Sequence, residues 1–459
     1  MKQSEYFRRI VVFILISIVI VVQMTFFAVA WYSYYRPLIA QPFWNRGNVA
    51  LIALYGLIFF LFSKTFGGLK VGYMKKLDVI YTYILSVVCT SLVVYIQIVL
   101  INRWFMNAVP LVLIGIGSIA VGIAWVFLSD AIYLKLYPPK KMLIIHGERK
   151  PGEFVEKLSK RSDKYQVNGV INTEVGSKEI KKEIRKYEAI IVWDLPAETR
   201  NEYLKYCFAH SIRCYVTPKI SDIIIQGAER VHLFDTPLLL SRNIGLTAEQ
   251  TVLKRAIDIV VSVLGIIIVS PLMLLIAIIV KAYDGGPIFY HQERTTIGGA
   301  TFMIHKFRSM RIDSEVGGAK LASKNDSRIT PVGKVLRNLH LDELPQLFNI
   351  LTGAMSVVGP RPERREFIRE YTKEIPEFPY RLKVKAGLTG YAQVFGKYNT
   401  TPYDKLKLDL FYIENYSLLL DIKLMFMTFR ILFQKETSEG IKEGQRSALD
   451  DKKQDKELR

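Results

Sequence analysis

Four charge-free runs open the chain and decide where it can fold. They cover residues 10–35, 47–63, 79–102 and 104–129. Each can cross a hydrocarbon core that needs about 20 apolar residues, the second only just. Lys and Arg set the orientation of such spans. Three precede the first run (Lys2, Arg8, Arg9), four lie between the second and third (Lys64, Lys70, Lys75, Lys76), and three follow the fourth (Lys135, Lys140, Lys141). The other two loops hold two and one. Residues 1–135 therefore read as a four-helix transmembrane block with both ends in the cytoplasm. The first run is too long, and lacks the small-residue site, for a cleaved signal peptide.

Half of the residues are hydrophobic, yet the formal charge is +20. A chain both apolar and basic fits a membrane protein facing anionic lipid or anionic substrates. No arginine-rich arm interleaved with aromatics points to nucleic acid. Cys89, Cys207 and Cys214 are the three cysteines and form no CxxC pair, so neither a zinc site nor a disulfide framework is expected.

Residues 141–245 alternate strand-like and helix-like stretches, from "KMLIIHG" to "IRCYVTP", as a parallel, Rossmann-like α/β module does. Its first strand-to-helix turn, "HGERKPGEF", keeps Gly147 and Gly152 but lacks G-x-G-x-x-G, so no dinucleotide site is expected.

A fifth charge-free run covers 259–280. Lys254 and Arg255 precede it, Lys281 follows, and Ser270-Pro271 sits at its midpoint. Proline removes one helical hydrogen bond, and the Ser270 hydroxyl can help satisfy the freed group. Cations on both flanks favour one side of the membrane. The segment 257–281 is read as a re-entrant helix that breaks at Ser270-Pro271, with a kinked spanning helix as the alternative. Residues 282–433 are mixed in composition. The stretch "LDIKLMFMTFRILF" at 420–433 fits an interfacial amphipathic helix or a core helix equally well, and 434–459 is charged and expected to be disordered.

Chemistry concentrates in "LHLDELPQLFNILTGAMSVVGPRP", residues 339–362. Pro345 suits the opening turn of a helix, which puts Asp342 and Glu343 at a helix start whose dipole favours ionised carboxylates. Such a pair can ligate Mg²⁺, attack phosphorus as a nucleophile, or merely cap the helix. Lys306 and Arg308 in "KFRSM", and Arg361 pinned between Pro360 and Pro362, offer charge to phosphate oxygens. Arg381, Lys383 and Lys385 precede Gly387, Gly390 and Gly396, whose backbone N–H groups can approach an anion. Metal, charge clamp and nucleophile together are what phosphoryl transfer needs.

Residues 250–433 resemble the catalytic domain of the bacterial monotopic phosphoglycosyl transferases, which start exopolysaccharide, capsule and O-antigen synthesis. The stretches that carry the resemblance are "KRAIDIVVS", the Ser-Pro break, "GPIFYHQER", "KFRSM", "DELPQLFNILTGAMSVVGPRP" and "GLTGYAQV". The four spans and α/β module are similar to those of the family's large members. The resemblance implies a mixed α/β catalytic domain held by a re-entrant helix. It also implies transfer of a hexose 1-phosphate from a UDP-sugar to undecaprenyl phosphate, with UMP released. Asp342 would be the nucleophile and Glu343 its partner in holding Mg²⁺. Arg361, with Lys306 and Arg308 nearby, would contact the donor phosphates, and Arg381 and Lys383 would join the substrate site. A bacterial inner-membrane location, a cytoplasmic catalytic domain and a homodimer are further implications. One departure stands out: many members read K-P-G-L-T-G where this chain has Lys385-Ala386-Gly387, which puts the turn's rigidity in question. Two other classes stay open, a non-catalytic scaffold of a polysaccharide assembly complex and a nucleotide-sugar-modifying enzyme that uses NAD.

Overall fold

The computed structural model describes residues 2–39, 44–159, 161–241, 245–311, 326, 328–396 and 400–432. They group into two compact units, Met1–Lys219 and Ile220–Arg459.

In the first unit the charge-free runs become helices. These are α1 (Lys2–Ala30), continued by a π-helical turn at Trp31–Tyr35 and the short α2 (Arg36–Leu38), then α3 (Asn45–Phe66), α4 (Lys76–Asn102) and α5 (Val109–Leu136). All four long helices have the length and apolarity to cross a membrane. Aromatic side chains build their core: Phe27 stacks on Tyr55 with centroids 4.5 Å apart, Phe59 meets the Tyr83 ring edge-on, and Tyr83 stacks on Trp125. Gly122 makes room for it, since a Cβ there would lie 1.9 Å from the Tyr83 ring. Some polar groups inside the bundle bond one another, which offsets the cost of burying them away from water. Ser118 donates to Gln23 at 2.7 Å, and Trp31 Nε1 donates to Asn48 Oδ1 at 2.8 Å.

The α/β module follows: β1 (Lys140–His146), α6 (Gly152–Ser159), β2 (Tyr165–Asn172), α7 (Ser177–Ile184), β3 (Ala189–Trp193), α8 (Ala197–Ala209) and β4 (Arg213–Val216). The four strands are parallel, in the order β2-β1-β3-β4. Period-two alternation in β1 splits its apolar side chains between two faces. Leu143 and Ile145 meet Ile180, Ile184, Tyr203 and Cys207 of α7 and α8, while Met142 and Ile144 meet Phe154 and Leu158 of α6. The sheet is thus covered on both faces. Its order is the 2-1-3-4 of flavodoxin-like sheets, whereas the dinucleotide-binding half runs 3-2-1.

The second unit begins earlier than the sequence boundary at 245. α9 (Ile220–Gln226) buries Ile220 and Ile223 in the core of this unit, so packing groups it with the catalytic part. The hairpin of β5 (Glu229–Leu233) and β6 (Thr236–Leu240) follows, with Leu233, Phe234 and Leu238–Leu240 exposed. Next comes α10, 37 residues from Ala248 to Asp284, started by a Thr247–Gln250 capping box and stopped by Gly285 at φ 71°. Ser270 and Pro271 do not interrupt it. Pro271 cannot donate to the Ile267 carbonyl four residues back, and the Ser270 hydroxyl donates to that carbonyl instead, at 3.0 Å. The break expected from the sequence is thereby repaired locally.

The remaining elements are β7 (Phe289–Thr295), β8 (Thr301–Phe307), α11 (Pro331–Asn338), α12 (Gln346–Thr352), β9 (Ser356–Val358), α13 (Arg365–Glu374), β10 (Gly387–Thr389), α14 (Tyr391–Phe395), α15 (Pro402–Glu414) and α16 (Leu418–Leu432). Both halves of α10 pack onto them. Lys254 in the first half bonds Asp421 of α16 at 2.6 Å. Met273, Ile276 and Val280 in the second half pack with Phe307 and Leu336. Asp421, Leu424 and Met427 of α16 are buried, so this stretch is a core helix. The charged tail, 434–459, lies outside the described residues.

Candidate active site

Three segments converge on Glu343. Strand β8 carries Lys306, whose ammonium lies 2.6 Å from Glu343 Oε1. Strand β9 runs into Gly359-Pro360-Arg361-Pro362, and Arg361 reaches the same oxygen at 3.0 Å. Pro360 and Pro362 are buried while Arg361 between them is exposed, so the two rings direct one cation outward. The acids themselves occupy a 3-10 turn at Leu341–Glu343 just ahead of α12, not the helix itself. His340 enters that turn at φ 54°, a left-handed conformation costly for a side-chain-bearing residue and frequent at functional sites.

The two carboxyls differ sharply. Burial works to raise the Glu343 pKa, but Lys306 and Arg361 outweigh it and hold Glu343 well below the usual range. For Asp342 burial wins: it raises the pKa, the Glu343 charge adds to the rise, and Lys306 opposes. The helix dipole expected to keep both acids ionised is therefore not what sets their charge. Asp342 is 8% exposed, and its carboxylate accepts no hydrogen bond among the described residues. Lys306 and Arg361 share one oxygen of Glu343, which leaves Oε2 and both Asp342 oxygens for a ligand. No third His, Cys, Asp or Glu joins them among the described residues. Two hard oxygen donors of this kind fit Mg²⁺, which binds through one or two carboxylates and fills its shell with phosphate oxygens and water.

Other expected site residues lie elsewhere. Arg308 is buried and paired with Asp284 at the end of α10. Arg381, 2% exposed, forms an ion pair with Asp409 at 2.8 Å and donates to the Arg361 backbone carbonyl at 3.1 Å. Lys383 lies over the Tyr380 ring at 5.6 Å. The glycines bring backbone to backbone rather than to an anion: a Cβ on Gly387 would lie 2.0 Å from the Gly359 nitrogen, and the Gly387 N–H donates to the Pro360 carbonyl at 2.9 Å. Ala386, where a proline was expected, donates its N–H to Thr296 Oγ1 at 3.2 Å. A proline could not, so here the turn is held by a hydrogen bond in place of a ring.

A profile of the bacterial sugar transferase family matches residues 249–435. The chain is 39% identical over 256 residues to a UDP-N-acetylgalactosamine-undecaprenyl-phosphate N-acetylgalactosaminephosphotransferase of Aeromonas hydrophila, covering 54% of this chain and 59% of that protein. It is 42% identical over 209 residues to a UDP-glucose:undecaprenyl-phosphate glucose-1-phosphate transferase of Klebsiella pneumoniae, covering 44% of this chain and 43% of that protein. It is 31% identical over 337 residues to an undecaprenyl-phosphate galactose phosphotransferase of Salmonella typhimurium, covering 66% of this chain and 70% of that protein. The chain belongs to the bacterial sugar transferase family. With the first two relatives it shares about half of their length.

The family stretch begins at α10 and contains the whole Lys306–Glu343–Arg361 clamp. Two buried positioning residues were not foreseen. Asn349 of α12 accepts the His305 N–H at 2.9 Å and donates to the Met303 carbonyl at 2.8 Å, which stitches the helix after the acids to the strand bearing Lys306. Asp258 of α10 accepts the Val357 N–H of β9. An Asn within "LFNIL" and an Asp within "RAIDIV" were the available signals, since a buried polar side chain in an apolar run needs a partner.

Proposed function

We propose that this transferase moves a hexose 1-phosphate from a UDP-sugar to undecaprenyl phosphate in two steps through Asp342. A carboxylate oxygen of Asp342 attacks the phosphorus that bears the sugar. The bond from that phosphorus to the bridging oxygen breaks, and UMP leaves with the electron pair. A phosphate oxygen of undecaprenyl phosphate then attacks the same phosphorus, the acyl phosphate bond to Asp342 breaks, and undecaprenyl diphosphate hexose leaves. Two steps let one site serve a soluble donor and a membrane acceptor in turn.

The observation that carries this reading is the contrast between the two acids. Glu343 is locked by Lys306 and Arg361, whereas Asp342 is buried beside them without a hydrogen-bond donor. A desolvated carboxylate is a stronger nucleophile than a hydrated one. Lys306 keeps charge available to it, and Arg361, half exposed, can take phosphate oxygens in a forked bond. Mg²⁺ held by Asp342 and Glu343 would supply Lewis-acid charge to the diphosphate. Relatives carry the names of glucose, galactose and N-acetylgalactosamine transferases, so the hexose stays open.

The membrane disposition follows the same reading. α10 is about 55 Å long at 1.5 Å per residue, yet both halves bury side chains against one unit. A re-entrant path, entering and leaving on the cytoplasmic face, requires α10 to bend at Pro271, where a proline kinks a helix without ending it, and would satisfy both contacts.

The test is the isolated half-reaction. Protein given Mg²⁺ and a labelled UDP-hexose, without lipid phosphate, should release UMP and keep labelled hexose phosphate on Asp342. The Asp342→Asn variant should keep none. UMP that appears only when undecaprenyl phosphate is present, with no label on the protein, would replace this mechanism with direct transfer.

A further inference from the structure

Gln346 opens α12 with a side chain that the fold leaves unused. The chain from Leu341 to Thr352 is helical throughout: the acid turn is 3-10, Leu344 and Pro345 keep right-handed helical angles, and α12 continues from Gln346. Glu343 and Asn349 show which side of this stretch faces strand β8. Glu343 meets Lys306 at 2.6 Å, and Asn349 bonds the backbone of Met303 at 2.8 Å and of His305 at 2.9 Å. Gln346 is three residues from each of them. Residues three apart share a face of a helix, so Gln346 lies on the same side, between the clamp and Asn349. It also follows Asp342 by four residues, about one helical turn.

Gln346 is 3% exposed, yet its carboxamide makes no hydrogen bond among the described residues. Asn349, buried on the same face, uses both ends of its carboxamide. A buried amide left without partners costs stability, and such groups are rare enough in native folds to ask for an explanation. Asp342, one turn back, is in the same state. Two buried polar side chains without partners, next to the Lys306–Glu343–Arg361 clamp, break the rule of local satisfaction where a functional site breaks it. Lys306 and Arg361 offer charge there. Gln346 offers a neutral NH2 donor, which a phosphoryl oxygen or a sugar hydroxyl can accept.

We infer that Gln346 is a further catalytic residue, whose carboxamide donates a hydrogen bond to an oxygen of the hexose 1-phosphate while Asp342 acts on its phosphorus. The inference rests on the two-step reading above and deepens it. Two oxygens share this chemistry, one on the phosphoryl group and one on the hexose. A fixed donor aimed at either is stronger in a site closed to water than in solution. Gln346→Met is the informative change, because it keeps the length of the side chain and removes both polar atoms. A glutamine kept for the fold would lose stability by it, whereas one kept for a substrate would not.

Full-length protein in detergent tests this in two ways. With UDP-hexose and undecaprenyl phosphate supplied, Gln346→Met should lower kcat about tenfold or more, as loss of a donor to the transition state does. The same variant, without ligand, should melt no lower than wild type. A kcat within about threefold of wild type overturns the inference, as does a loss of kcat matched by a fall in melting temperature. The second measurement needs no turnover. In an Asp342→Asn background, UDP and UDP-hexose are each tested for raising the melting temperature, with and without Gln346→Met. A shift reduced for both ligands assigns the contact to the phosphoryl group, which both carry. A shift reduced for UDP-hexose alone assigns it to the hexose. Unchanged shifts for both overturn the contact. If the wild type releases no UMP from any UDP-hexose, the two-step reading fails, and this second measurement alone decides the contact.

Discussion

Asp258 of α10 accepts the backbone N–H of Val357 at 2.8 Å, and the same oxygen accepts the Ser356 hydroxyl at 2.9 Å. Both partners are in β9, which leads directly to Arg361. One carboxylate thus fixes the strand that aims the exposed arginine, from a helix long and apolar enough to cross a membrane. Asp258→Ala leaves a buried N–H and a buried hydroxyl without their acceptor, a loss of about 1–3 kcal/mol. The expected outcome is a lower melting temperature and a fall in kcat of about tenfold or more, with the donor KM less affected. Asp258→Asn, which keeps an acceptor oxygen, should recover part of both. Full activity in Asp258→Ala would show that Arg361 is aimed by other means.

Asp409 predicts a pH dependence. Burial pushes its carboxyl up to about 6, Arg381 pulls it down and Glu363 pushes it up further. Its folded pKa lies above the unfolded value of about 3.9. Between the two, the folded state holds a proton that the unfolded state has released. This group's contribution to stability is therefore greatest below about pH 4, declines as pH rises to about 6, and is flat above. Activity should run the other way, because only ionised Asp409 pairs with Arg381 and steadies the Arg361 backbone. UMP release should show an acidic limb near pH 6 that is absent in Asp409→Asn, which works at a lower and flatter level. A limb unchanged in that variant would assign the titration to another group.

The membrane helices and the parallel module were legible because apolar length and strand-helix alternation are local signals. The acids, Lys306 and Arg361 were legible because charge in an apolar or proline-locked setting needs a reason. What the sequence concealed was pairing. Arg308 and Arg381 looked like substrate cations, but their partners, Asp284 and Asp409, are 24 and 28 residues away in the chain, and no local pattern joins them. The split between Asp342 and Glu343 was hidden for the same reason. It depends on which carboxylate faces Lys306 and Arg361, and adjacency in sequence does not decide that. The Ser270-Pro271 break was overestimated because a single hydroxyl bond to Ile267 replaces the one that proline removes.

The clamp around Glu343 is made by Lys306 and Arg361 of the second unit. Removing residues 141–216, and keeping α9 because Ile220 and Ile223 belong to the catalytic core, should leave UMP release measurable within about tenfold of the full chain. Membrane-bound protein that still folds but releases no UMP would give the module a direct part in catalysis.

The re-entrant path of α10 is open to direct test. A helix of 37 residues exceeds the roughly 30 Å hydrocarbon core by a wide margin. Were it a simple span, Met273, Ile276 and Val280 would sit in or beyond the bilayer, away from the unit that holds Lys306. They instead pack with Phe307, the residue after Lys306, and with Leu336. Cations flank both ends, Lys254 and Arg255 on one side and Lys281 on the other, which favours the cytoplasmic face for each. Glu249 and Tyr283 are both exposed. With Cys89, Cys207 and Cys214 replaced by serine, Glu249→Cys and Tyr283→Cys should each react with an impermeant thiol reagent from the cytoplasmic side only. Reaction of the Tyr283 position from outside would make α10 a fifth span and would detach its second half from the catalytic core.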